Sequence, residues 1–92
     1  MERIENNAVI DSLLRLRGDL ISLEITTGLT PELMPALIKQ IEILEEMEEY
    51  FMKINPAELG ETDMKTYNSL KEFWSDHDFK VKSAIKTLRE II

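Results

Sequence analysis

Between Thr30 and Ile54 the apolar residues recur at helical spacing on two faces. Leu37, Ile41, Leu44 and Phe51 mark one stripe, and Ile43, Met47, Tyr50 and Ile54 mark a second. An apolar arc that wide predicts a helix packed against neighbours on two sides, because a surface helix needs only one buried stripe. Glu42, Glu45, Glu46 and Glu49 lie opposite it. This segment is the spine around which the rest of the chain is expected to pack.

Upstream, Val9, Leu13, Leu16, Leu20 and Leu23 step by four, three, four and three, the spacing of a coiled-coil seam. A first helix is therefore expected over residues 4–26. Gly18 falls inside it, and a mid-helix glycine costs about 1 kcal/mol against alanine, but the seam keeps its phase through it. A second line, Ile10, Leu14, Gly18, Ile21 and Ile25, puts Gly18 on an apolar flank, where close approach of a neighbouring helix is expected.

Thr27-Gly28-Leu29-Thr30 reads as a short connector, with Gly28 suited to a left-handed residue and Thr30 to a cap. Pro35 would remove an early intrahelical bond, so residues 31–34 are expected to form a separate tight turn before the spine. Asn55-Pro56-Ala57-Glu58 has the residues of a capping box around a single turn, and Leu59-Gly60 closes it.

From Thr62 onward no Gly or Pro occurs, and Tyr67, Leu70, Trp74, His77, Val81, Ala84, Leu88 and Ile91 hold a three-four repeat. The pattern predicts one long helix, continuous or kinked. Ser75-Asp76-His77-Asp78 is the one place where a fresh helix could begin. The expected fold class is all-α, an antiparallel up-down-up bundle of three long helices in a single domain over residues 1–92. Its middle layer would contain Leu16, Ile41 and His77. A last helix of that length overhangs the spine by about two turns at 1.5 Å per residue. Leu88, Ile91 and Ile92 would then stand with little to cover them, a surface for self-association and a homodimer.

Composition agrees with helices: three glycines and three prolines among 92 residues, with Leu, Ile, Glu, Lys and Met abundant. Eighteen acidic against eleven basic side chains give a net charge of −7. That charge opposes direct binding to nucleic acid, which is driven by Lys and Arg displacing counterions. It is also unevenly placed. Residues 29–60 sum to −5, whereas residues 61–92 are neutral with six acids and six bases. The absence of cysteine removes disulfides, thiolate metal sites and thiol catalysis. Met1-Glu2-Arg3-Ile4-Glu5 carries both signs of charge, and no run is apolar enough for a signal peptide or a membrane span. A cytoplasmic protein without membrane association is expected.

Chemistry-bearing patterns are few. Carboxylate metal sites in bundles pair inward Glu with Glu-x-x-His, and the only histidine, His77, is preceded three positions earlier by Trp74. No metal or cofactor is expected. Asp76 and Asp78 flank His77, but adjacent helical residues point about 100° apart, so a packed seam histidine is the expected role. No Ser or Thr has a base at a spacing that would activate it. All six aromatics fall between residues 50 and 79, and because Tyr50-Phe51 and Phe73-Trp74 are sequential, one of each pair is expected at a rim.

The expected function follows from these features: a small acidic, non-enzymatic protein that binds a protein partner as an adaptor or regulator. Glu42, Glu45, Glu46 and Glu49 with Tyr50 and Trp74 are the candidate partner-binding residues. The alternative is an inhibitor, of the sort mobile elements or phages encode, whose acidic face blocks the nucleic-acid site of a host protein. In both readings the partner is basic or handles nucleic acid.

Overall fold

The computed structural model describes residues 6–23, 28 and 30–91, with backbone alone at 6, 7 and 91. The described residues are helical apart from short links, and no strand occurs among them. Helix α1 is Asn6–Ser22, α2 is Met34–Lys53 and α3 is Glu61–Ile91. Each of the three packs on the other two. At 1.5 Å per residue the 31 residues of α3 span about 46 Å, which sets the long dimension of a molecule measuring 50 × 25 × 20 Å.

Helix α1 continues through Gly18, as its unbroken seam requires. The reason proposed for the glycine is not what the structure shows: Gly18 is exposed, and a Cβ built on it would meet nothing within 4 Å. No neighbour approaches there. Leu23 closes α1 with its N–H donating to the Asp19 and Leu20 carbonyls. Gly28 is exposed and does not adopt a positive φ, so the expected left-handed turn is absent. Residues 1–5, 24–27 and Leu29 lie outside the described residues, as does the expected extension of α1 to residue 26.

The separate turn before the spine is present as a 3-10 turn at Pro31–Leu33. Thr30 occupies its cap position in extended backbone and its carbonyl accepts from the Leu33 N–H, but its side chain makes no cap bond. Pro35 then sits in the first turn of α2, where its missing N–H costs no intrahelical bond. Asn55 does cap its own short turn, Pro56–Glu58, through Oδ1 accepting from the Ala57 N–H at 3.1 Å. Helix α3 starts at Glu61, with Glu61 and Asp63 placing negative charge in its first turn.

Helix α3 is unbroken across residues 75–78. Weak local propensity is overridden there by contacts on both sides of the helix. Inward, Trp74 and His77 bond to α2; outward, Asp76 pairs with Lys80 and Asp78 with Lys82, each at 3.0 Å. Both pairs place the acid four residues before the base, the order that favours a helix.

One core holds the three helices. Val9, Leu13, Leu16 and Leu20 from α1 meet Leu37, Ile43, Leu44, Met47 and Phe51 from α2 and Tyr67, Leu70, Val81 and Leu88 from α3. Ile41, assigned by spacing to the inner stripe, is only half-buried, and the position fully inside is Gln40 at 2% exposed. Gln40 Nε2 donates to the Leu23 carbonyl at 3.1 Å, and its Oε1 lies 2.7 Å from His77 Nε2. Since a carbonyl can only accept, the amide must turn its NH2 toward Leu23, and His77 Nε2 must then be the donor. The layer at His77 is therefore built from Gln40 and the end of α1, not from Leu16 and Ile41.

Two stability predictions follow from these positions. Gly18→Ala fills open space in a helix interior and is expected to stabilise the fold by up to about 1 kcal/mol, read as a higher urea midpoint; a loss of stability would mean that Gly18 is packed. Gln40→Leu strands the Leu23 carbonyl and the His77 N–H and is expected to cost about 1–3 kcal/mol. In a His77→Phe background the cost should shrink, and a double-mutant cycle with no coupling would refute the shared network.

Candidate functional site

The sequence-chosen glutamates sit on the outer face of α2. Glu42, Glu45, Glu46 and Glu49 are all exposed, and so is Glu48. Lys39 lies 3.7 Å from Glu42 with both side chains about two-thirds exposed, a contact that solvent screens heavily. Lys71 of α3 stands over the Tyr67 ring at 5.8 Å. These carboxylates form a solvated ridge. No three of His, Asp and Glu gather among the described residues as a metal cage would require.

Of the two sequential pairs, Tyr50–Phe51 divides as expected, with Phe51 inside and Tyr50 at the rim, whereas Phe73 and Trp74 are both half-buried. Phe51 is buried, with Tyr67 and Trp74 edge-on at 5.9 Å each, a geometry that adds to the apolar burial. Trp74 is half-buried, and its indole N–H donates to the Leu44 carbonyl at 2.8 Å. Its first role is joining α3 to α2. Tyr50 is also half-buried, with Lys53 over its ring at 5.1 Å. Phe73 stacks on the His77 imidazole at 5.4 Å. The aromatic that does face solvent is Phe79, 72% exposed.

The expected self-association tip is not built as the overhang argument requires. Leu88 is fully buried in the chain's own core. Ala84, its neighbour in the repeat one turn earlier, and Ile85 beside it are partly exposed instead. The Ile91 side chain and Ile92 lie outside the described residues.

What the pattern did not single out is a groove between α2 and the C-terminal half of α3. Ile38, Ile41 and Ile85 form its apolar floor, and Lys82, Lys86, Arg89 and Glu90 stand around it. Phe79 lies just beyond, in a shallow depression shared with Lys82 and Lys86. Ile38 is 49% exposed, so with Phe79 it gives this side two large apolar residues in water. Lys82 is paired with Asp78, whereas neither Lys86 nor Arg89 forms an ion pair among the described residues. The face thus carries an acidic ridge on α2, an apolar floor, and a basic ridge on α3. One signal in the sequence pointed to it: residues 79–92 contain four basic side chains and one acid, in a chain of net charge −7.

Among the described residues no helix is long and apolar enough to cross a membrane. No protein-family model matches the chain, and no curated protein or solved structure is significantly similar to it.

The solvated ridge has a direct test. Glu42 with Glu46 and Glu45 with Glu49 are like charges four residues apart, an arrangement that disfavours a helix. Changing all four to Gln is expected to raise the urea midpoint in low salt, and the gain should shrink as salt screens the wild-type repulsion. A fall in stability would show that the carboxylates are held in favourable contacts.

Proposed function

We propose that this protein is a small non-enzymatic adaptor or regulator that acts in the cytoplasm by binding another protein through the face between α2 and α3. The observation that carries the reading is the exposure of Ile38 and Phe79 beside the Ile41–Ile85 floor, flanked by ridges of opposite charge. Exposed apolar residues grouped with organised charge are characteristic of protein-binding surfaces, whereas isolated ones are ordinary. The scaffold behind this face is an up-down-up bundle with antiparallel neighbours, forming one domain. Gln40 meets His77, Leu44 meets Trp74 and Phe51 meets Tyr67, so that ascending α2 descends α3, in support of that topology.

A second reading rests on the exposure of Glu42, Glu45, Glu46 and Glu49 together on α2. In it the acidic ridge occupies the nucleic-acid site of a host protein. The two readings place the contact on different residues, so one experiment separates them. Affinity capture from a lysate is carried out at low and high salt with the wild type, with Ile38→Ser/Phe79→Ser, and with the four-Gln variant. The binding-face reading expects a partner that survives high salt, is retained by the four-Gln variant and is lost from the Ser variant. A nucleic-acid-handling partner held only at low salt, and lost from the four-Gln variant, would replace it with the second reading. No captured protein under any condition would refute both.

A further inference from the structure

The geometry points to an acidic amphipathic helix of a partner protein as the occupant of the groove between α2 and α3, with its apolar residues on Ile38, Ile41 and Ile85 and its carboxylates against Lys86 and Arg89. This deepens the binding-face reading and rests on it. The shape argues for a helix: a groove of about 520 Å³ between two helices is large enough for several side chains projecting from one face of a third, spaced as i, i+3 and i+7. The charge argues for an acidic one. Of the four charged residues around the groove three are basic, and the two without an ion pair among the described residues, Lys86 and Arg89, are free to meet carboxylates.

The rest of the surface restricts the alternatives. A nucleic acid or an anionic bilayer would also answer to Lys82, Lys86 and Arg89, but either extends well beyond the groove and would meet the glutamates of α2 alongside it. A short helix need not. Opposite charges on the two ridges also fix orientation: the carboxylate-bearing edge of the ligand turns toward α3 and away from Glu42 and Glu45.

The test uses the full chain and defined synthetic probes. A helix-stabilised peptide with Leu at i, i+3 and i+7 and Glu along one flank is titrated into the protein, followed by methyl NMR. The expected result is saturable shifts centred on the methyls of Ile38, Ile41 and Ile85, and weaker binding as salt is raised. Lys86→Glu with Arg89→Glu, both at exposed positions, should lower the affinity by about tenfold or more. Exchanging Glu for Lys in the peptide should restore binding to that variant while abolishing it with the wild type. A merely destabilised variant would not show such rescue.

The inference is overturned if the Glu peptide fails to bind, if a peptide of the same composition with scrambled spacing binds as well, or if the shifts fall elsewhere. Binding of phosphatidylserine vesicles or single-stranded RNA in preference to the peptide would likewise overturn it, in favour of an anionic surface. Failure of the peptide alongside a captured partner that needs Ile38 and Phe79 would sink the acidic helix and leave the binding-face reading standing. Loss of that partner as well would remove both.

Discussion

Gln40 uses one amide to bind the carbonyl end of α1 and the imidazole of α3 from a position inside α2. Its environment is nearly dry at 2% exposure, so each bond it makes matters more for what its loss would strand than for its net strength. Apolar contacts are tolerant of sliding by a turn, because one leucine fills a neighbour's space about as well as another. A hydrogen-bonded polar node is not. Moving α3 by one turn along α2 would leave the Gln40 carbonyl and the His77 N–H facing hydrocarbon, which disfavours the shifted register. The Trp74 bond to the Leu44 carbonyl, one turn away, works in the same direction.

With that register set, the surface acquires its pattern. Placing His77 at Gln40 brings the C-terminal half of α3 alongside the start of α2, where Ile85, Lys86 and Arg89 line one groove with Ile38 and Ile41. The groove is a consequence of the packing, not of any local motif. Its floor is apolar because these positions fall at the edges of the inward stripes, where a two-helix contact leaves them half-covered. Its α3 side is mainly basic because Lys82, Lys86 and Arg89 stand there with Glu90 as the one acid, while Asp76 and Asp78 hold Lys80 and Lys82.

Much of this architecture is legible in the order of residues, and the misreadings have a common origin. Helical periodicity identified α1, α2 and α3, the turn at Pro31 and the cap at Asn55, because each depends on residues within a turn of one another. Gly18 lies inside a helix as the unbroken seam requires, but a close approach at it depends on where the other helices lie, and it faces open space. Ile41 and Gln40 show the same limit: spacing places Ile41 on the inner stripe, yet it is half-buried and the fully inside position is Gln40, which finds partners at Leu23 and His77. Helix lengths alone leave Leu88 uncovered, whereas in the folded chain it is buried.

The candidate surface divides along the same line. Exposure of Glu42, Glu45, Glu46 and Glu49 followed from the sequence, since a helix with apolar residues on its other faces must turn these four to water. The groove did not, because Ile38 and Ile85 belong to different helices and no spacing within either one relates them. What the sequence determined by itself was therefore the set of helices, most of their buried faces and the concentration of negative charge on α2, all consequences of short-range periodicity. The tertiary structure alone decided which buried polar groups find partners, which aromatic stays outside and where opposite charges flank an apolar floor, because each depends on the register between helices, fixed by contacts thirty or more residues apart.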